Sequence, residues 1–245
     1  MASEVPLPPP SPSAQDWERL GDGTFASVDT VMFDLDGTLV DSMDCYYTVF
    51  LEAFGQMGLP TIEKPELMAL MRHGRNILEV LIPAGRLDRE ATTERCRTLF
   101  RDIWEERSLT AISLLPEVAP TLHELRSRGL ALGLATAARG DWIQHVLERH
   151  EVAHCFGAIV TVAEVKARKP APDVLIECLR RLGSQSDRSV YVGDSPIDII
   201  AAKSAGVRSI GVLSGASDRA SLDETGPELI LEHVGQLPAV LKHKE

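Results

Sequence analysis

From Pro116 onward the chain alternates short apolar runs with stretches of helical period, and no other feature restricts its fold as tightly. Residues 130–135, 158–162, 189–192, 207–213 and 229–231 are apolar runs of strand length. Residues 117–128, 141–150, 172–182 and 196–205 carry helical spacing, and Gly129, Gly183 and Gly206 stop three of them. A last helix is expected over 237–243. Strands alternating with helices pair in parallel and are covered on both faces. The expectation is an α/β fold, a doubly wound parallel sheet whose ligands bind beyond the carboxyl ends of the strands.

One more strand, 31–33, opens the series, and roughly seventy residues pass before the next, too many for a simple crossover. Inside that gap 44–58, 65–71, 77–82 and 89–107 read as helices, interrupted by Gly58-Leu59-Pro60, Gly74, Pro83 and Gly85. They are expected to form an inserted α-helical cap over 42–114, hinged at 40–42 and 114–116. The α/β core then comprises 28–41 and 115–245. Residues 1–27 hold Pro6, Pro8, Pro9, Pro10 and Pro12 and favour an extended, unpacked tail, with Trp17 as its anchor.

The formal net charge of −11 leaves no basic face for a nucleic-acid backbone. Cys45, Cys96, Cys155 and Cys178 lie far apart without a C-x-x-C pair and read as reduced thiols. No apolar run has the length to span a bilayer, and the N-terminus lacks the pattern of a secretory signal. A cytoplasmic protein is expected, monomer or homodimer, with neither a nucleic-acid nor a membrane partner.

The chemistry concentrates where apolar strands end. Asp34 and Asp36 follow 31–33 and, two residues apart in extended chain, point to the same side. Carboxylates so close repel unless a cation lies between them or one keeps a proton, and a hard ion such as Mg²⁺ suits oxygen ligands. One acid is then free to attack an electrophile and the other to move a proton. Gly37 allows the turn, and the Thr38 hydroxyl can donate to an anion. A D-x-D-G segment alone is also an ordinary solvated turn; the downstream residues decide between the two. Thr136 follows 130–135, where a hydroxyl and backbone N–H groups can hold phosphate oxygens. Lys169 stands in Arg168-Lys169-Pro170-Ala171-Pro172-Asp173, its backbone fixed by two prolines. Asp194 leaves 189–192, and Asp198 sits one helical turn later, so both can face one cation. Arg72, His73 and Arg75 make a small basic cluster around Gly74, suited to a substrate carboxylate or second phosphate. Lys64, beside Glu63, reads as a surface charge.

D-x-D-G-T at 34–38, Thr136, K-P-A-P-D at 169–173 and G-D-S-x-x-D at 193–198 resemble, in order, the four motifs of the haloacid dehalogenase superfamily of phosphohydrolases. The likeness is to its phosphoglycolate phosphatase and β-phosphoglucomutase branch, and it covers nearly everything beyond residue 28. It implies a Rossmann-like core and a two-step phosphoryl transfer from a small phosphorylated metabolite. Asp34 would be the nucleophile and Asp36 the acid and base. Mg²⁺ would be held by Asp34, the backbone carbonyl of Asp36, Asp194 and Asp198, the last directly or through water. Thr38, Thr136, Lys169 and the backbone at Ala137 would neutralise and position the phosphoryl group. Ala137 and Ala138 depart from the family's usual Asn, Ser or Gly, so a side-chain contact at 137 is lost. The second acid, Asp36, favours phosphate-ester hydrolysis over carbon–halogen or carbon–phosphorus cleavage. A mutase or phosphotransferase, a pyrophosphatase and a catalytically silent binding protein are the alternative readings.

Overall fold

The structure, a computed structural model, describes residues 24–72 and 75–241; Trp17, most of the proline-rich segment, His73 and Gly74 lie outside the described residues. Strand β1, Thr30–Phe33, is buried at every position, as its unbroken apolar run requires. After the D-x-D-G-T turn, β2, Val40–Asp41, leads into four helices: α1, Met43–Gln56; α2, Lys64–Arg72; α3, Ile77–Leu81; and α4, Arg89–Ala111. Strand β3, Ser113–Leu114, pairs antiparallel with β2 through Val40↔Leu114 and Asp41↔Ser113. The two segments expected as hinges are thus tied together as a short ribbon at the foot of the helical insert. Helix α4 runs past the expected stop at Arg107 because nothing in 108–111 breaks it, and Ser108 lies buried within it.

The alternating half then follows as α5, Val118–Ser127; β4, Ala131–Thr136; α6, Trp142–Arg149; and β5, Ala158–Thr161. Next come α7, Asp173–Leu182; β6, Ser189–Gly193; α8, Pro196–Ser204; and β7, Arg208–Val212. The chain closes with α9, Arg219–Asp223; β8, Leu229–Leu231; and α10, Leu237–Val240. Helix α9 went unread in the sequence; it is five residues long, too short for a period, and the Asp218 side chain caps it by accepting from the Ser221 N–H.

Six strands form one parallel sheet in the order β5-β4-β1-β6-β7-β8. The order reverses beside β1, between β4 and β6, and such a reversal opens a crevice at the carboxyl ends of the strands. Leu122, Leu125, Val146 and Leu147 from α5 and α6 cover one face. Val174, Leu175, Cys178, Ala201 and Ala202 from α7 and α8 cover the other. The insert has a cluster of its own, built on Phe50, Phe54, Leu67, Met68, Ile77, Ile82 and Cys96. A run of aromatic contacts joins it to the core: Tyr46 meets Phe100 at 5.0 Å, Phe100 stacks on Trp104, and Trp104 meets Trp142 of α6 edge-on at 5.5 Å. Such pairs add about 0.5–1.5 kcal/mol beyond their burial.

Candidate active site

Both ladder neighbours of β1 hold its end rigid, and the Asp34 N–H extends the pairing by donating to Val192 O at 2.9 Å. The chain then turns sharply: the Leu35 carbonyl accepts from the N–H groups of Thr38, Leu39 and Val40. Gly37 sits at φ +75° within this turn, and a Cβ there would come within 2.7 Å of Asp194 Oδ2. Glycine is required twice over, by the backbone angle and by the space.

The turn brings the sequence-designated acids together. One carboxylate oxygen from each of Asp34, Asp194 and Asp198 lies within 4.8 Å of the others, and all three residues are buried. Lys169, also buried, commits its ammonium to three partners: Asp34 Oδ1 at 2.8 Å, Asp198 Oδ1 at 2.5 Å and the Tyr191 hydroxyl at 2.9 Å. Burial works to discharge this lysine, but Asp198 and Asp34 outweigh it and hold the ammonium well above its ordinary range. The carboxylates feel the opposite balance. Burial first, then Asp198 and Asp36, pushes Asp34 up to about 7 against the pull of Lys169. Burial, Asp198 and Asp34 raise Asp194 well above the usual carboxylate range as well. One ammonium does not neutralise this set, and the surplus of buried negative charge is what a divalent cation would relieve. The donors are all hard oxygens, which suits such an ion.

Asp36 stands apart from that trio. Its Oδ1 accepts from the Ser42 hydroxyl at 2.5 Å, and burial raises its pKa while this bond tempers the rise. A carboxyl that keeps its proton longer than usual suits a proton donor. The Thr38 hydroxyl is fully buried and has no hydrogen-bond partner among the described residues, so it is an unused polar group at the mouth of the turn. Thr136 is the last residue of β4; its hydroxyl accepts from the Ala138 N–H at 3.0 Å and keeps its own proton to donate. Ala137 follows directly at the strand end.

Asp198 lies differently from the expectation of a plain cation ligand. It closes a capping box at the start of α8, where its Oδ2 accepts from the Ser195 N–H at 3.1 Å and from the Ser195 hydroxyl. Both of its oxygens are therefore engaged, one with the helix start and one with Lys169. Arg72 also has a protein partner in place of a free fork. From the end of α2 it reaches the β7–α9 loop, donating to Ala216 O from Nε and Nη2 at 3.1 and 2.8 Å and to Asp218 Oδ2 at 3.1 Å. Arg75 is exposed, and Lys64 pairs with Asp44 on the surface.

Three contributors were not legible beforehand. Tyr191 reads as one more apolar strand residue, yet its hydroxyl donates to Ala135 O at 2.7 Å while accepting from Lys169. Ser42 is an ordinary turn residue until the fold sets it against Asp36. The 214–218 loop supplies the Ala216 N–H to Asp194 Oδ2 at 2.7 Å and the Ser214 hydroxyl to Gly37 O at 2.8 Å. Its one available signal was position, since it follows the carboxyl end of a parallel strand.

Fold and site together define an α/β protein whose chemistry gathers in a buried carboxylate–ammonium cluster at the reversal point of a doubly wound sheet. The family model for haloacid dehalogenase-like hydrolases matches residues 31–212, and the chain belongs to that family. It is 30% identical to the phosphoglycolate phosphatase of Escherichia coli strain K12 over 242 residues, covering 90% of this chain and 96% of that one. It is 31% identical to the phosphoglycolate phosphatase of Yersinia pseudotuberculosis over 219 residues, covering 88% and 94%. Among solved structures, a haloacid dehalogenase-like family hydrolase of Streptococcus pneumoniae shares the fold with a TM-score of 0.75 at 22% identity, covering 88% of this chain and 99% of that one. Among the described residues no helix is long and apolar enough to cross a membrane.

Proposed function

We propose that this chain is a Mg²⁺-dependent phosphatase acting on a small phosphomonoester, with phosphoglycolate the first candidate because relatives at about this distance bear that name. The observation that carries the reading is Lys169, which holds Asp34 and Asp198 on one ammonium, with the Thr38 hydroxyl, unpaired among the described residues, in the turn that follows Asp34. A nucleophilic carboxylate, a fixed positive charge and a donor for phosphate oxygens then converge at one strand end.

In this reading Asp34 attacks phosphorus, the bond to the leaving oxygen breaks, and Asp36 gives that oxygen its proton. Water then attacks the aspartyl-phosphate as Asp36 takes the water's proton back, releasing phosphate and restoring Asp34. Thr38, Thr136 and the peptide at Ala137 orient the phosphoryl oxygens, while Lys169 balances charge on both nucleophile and phosphoryl group. Asp34, Asp194 and the backbone carbonyl of Asp36 would hold the Mg²⁺, with Asp198 behind them; the ion would supply positive charge to the phosphoryl oxygens. Asp198 serves chiefly to hold Lys169 in place.

The insert over 42–114 acts as the cap that selects the leaving group. Arg75, exposed near the end of α2, is the arginine of that cluster available to meet a substrate anion, with Arg72 engaged to the core loop. The protein works in the cytoplasm as a monomer or homodimer.

The test is phosphate release from phosphoglycolate, sugar phosphates, nucleotides and pyrophosphate, each with Mg²⁺ and with EDTA. Metal-dependent release with phosphoglycolate foremost is the expected outcome. Release from pyrophosphate alone, or from no substrate, would overturn the reading.

A further inference from the structure

A second cluster of metal-ligating groups lies far from the carboxylates. His123 projects from α5, and His154 and Cys155 belong to a 3₁₀ turn, Ala153–Cys155, between α6 and β5. That turn directly precedes β5, so it sits at the amino ends of the strands, whereas the carboxylates sit at the carboxyl ends. One ligand atom from each of His123, His154 and Cys155 falls within 4.8 Å of the other two. We propose that these three residues form a binding site for a thiophilic divalent cation of the Zn²⁺ type, separate from the catalytic centre.

The spacing argues for the ion. In a tetrahedral zinc site, with Zn–N about 2.1 Å and Zn–S about 2.3 Å, nitrogen and sulfur ligands lie about 3.6 Å apart. His154 Nε2 and Cys155 Sγ are 3.8 Å apart. Two imidazoles on one tetrahedral ion place their ring centroids about 5 Å apart by the same lengths. The His123 and His154 rings lie 5.5 Å apart. The His154–Cys155 distance and the ring spacing thus lie within a few tenths of an ångström of what the ion needs, and the His123 ligand atom falls within 4.8 Å of the other two.

The chemistry agrees. Both imidazoles are exposed, and among the described residues neither makes a polar contact other than that of His154 with Cys155. Cys155 is buried beneath them, with its thiol raised by burial and drawn back by Arg126. Binding displaces the thiol proton to solvent, one per ion, and leaves a thiolate ligand. Two imidazoles and a thiolate select Zn²⁺, Co²⁺ and their neighbours and reject Mg²⁺, so the two sites take different ions. Three protein ligands leave a fourth position for water. The bound ion would clasp α5 to the segment entering β5.

The experiment is titration of the full-length, metal-stripped protein with Co²⁺ in excess Mg²⁺, which keeps the carboxylate site occupied. We expect thiolate-to-cobalt charge-transfer absorption saturating at one ion per chain, removed by Zn²⁺ and accompanied by release of one proton. Cys155→Ser should abolish the band. His123→Ala and His154→Ala, at exposed positions that leave the fold undisturbed, should each weaken binding at least about tenfold. Absence of the band in the unaltered protein would overturn the proposal, as would a band that survives both histidine variants at full strength and so reports another cysteine. Mg²⁺-dependent phosphate release plays no part in this readout, so the outcome is independent of the proposed activity.

Discussion

Lys169 shows how much a single buried residue can organise. Its three ammonium donors meet acceptors on a strand, on a helix and just past the end of β1, and Tyr191 behind it is anchored in turn to Ala135. Tyr191→Phe removes one donor–acceptor group and leaves the buried Ala135 carbonyl without that partner, at a cost of about 1–3 kcal/mol. Chemical denaturation should show that loss, and turnover should fall with it because Lys169 loses its stop on one side. Asp34→Asn is expected to keep the fold and lower phosphate release at least about a thousandfold, since the amide is no nucleophile; circular dichroism and a phosphate assay read the two effects separately. The residues that do this work were visible in the sequence wherever the local pattern carried them: Asp34, Asp36, Lys169, Asp194 and Asp198 all stand beside recognisable strand ends or helix starts. Tyr191 and Ser42 were not, because nothing in their own neighbourhood marks them. Their roles arise from partners 22 residues away in Lys169 and six away in Asp36.

At the scale of elements, the sheet was legible and its small attachments were not. Long apolar runs and amphipathic helices announce themselves by period, and every strand of the main sheet fell within a residue or two of its reading. The β2–β3 ribbon has two residues per strand and α9 has five, so neither holds enough period to be read. The β7–α9 loop repays attention for its packing. A Cβ on Gly215 would come within 2.0 Å of Asp194 Oδ2, and one on Gly193 within 2.5 Å of the Asp198 Cβ. Gly215→Ala should therefore displace Asp194 or the loop. The expected result is a several-fold higher Mg²⁺ requirement for phosphate release with the melting temperature little changed, measured by titrating the metal in the assay.

The whole molecule is shaped by a concentration of acid at its centre. Asp34 titrates near its ordinary value of 3.8 when unfolded and about 7 when folded without metal. Between those values the folded chain holds a proton that the unfolded chain has released. Folding therefore takes up a proton, and stability falls as pH rises through this window, with the loss complete above about 7. Asp194 acts in the same direction. Metal-stripped protein should consequently melt lower at pH 8 than at pH 5.5, Asp34→Asn should flatten part of that slope, and added Mg²⁺ should restore stability most at pH 8. Differential scanning calorimetry across pH, with and without the ion, checks all three.

Ala216 is held on both sides: its N–H donates to Asp194, and its carbonyl is gripped by Arg72 from the helical insert. The two groups belong to adjacent peptide planes that share the Ala216 Cα, so a displacement of this residue is felt at both contacts. Seating of the insert and the affinity of the carboxylates for a cation are thereby placed in one thermodynamic cycle, and the coupling must be equal in both directions. An ion that tightens Asp194 should favour the seated insert, and loss of the Arg72 grip should loosen the ion. Arg72→Ala should then weaken Mg²⁺ binding measured calorimetrically without substrate, and Mg²⁺ should slow amide hydrogen exchange in α2 in the unaltered protein but not in the variant. The insert's docking would act as an effector of its own metal site, built into a single residue.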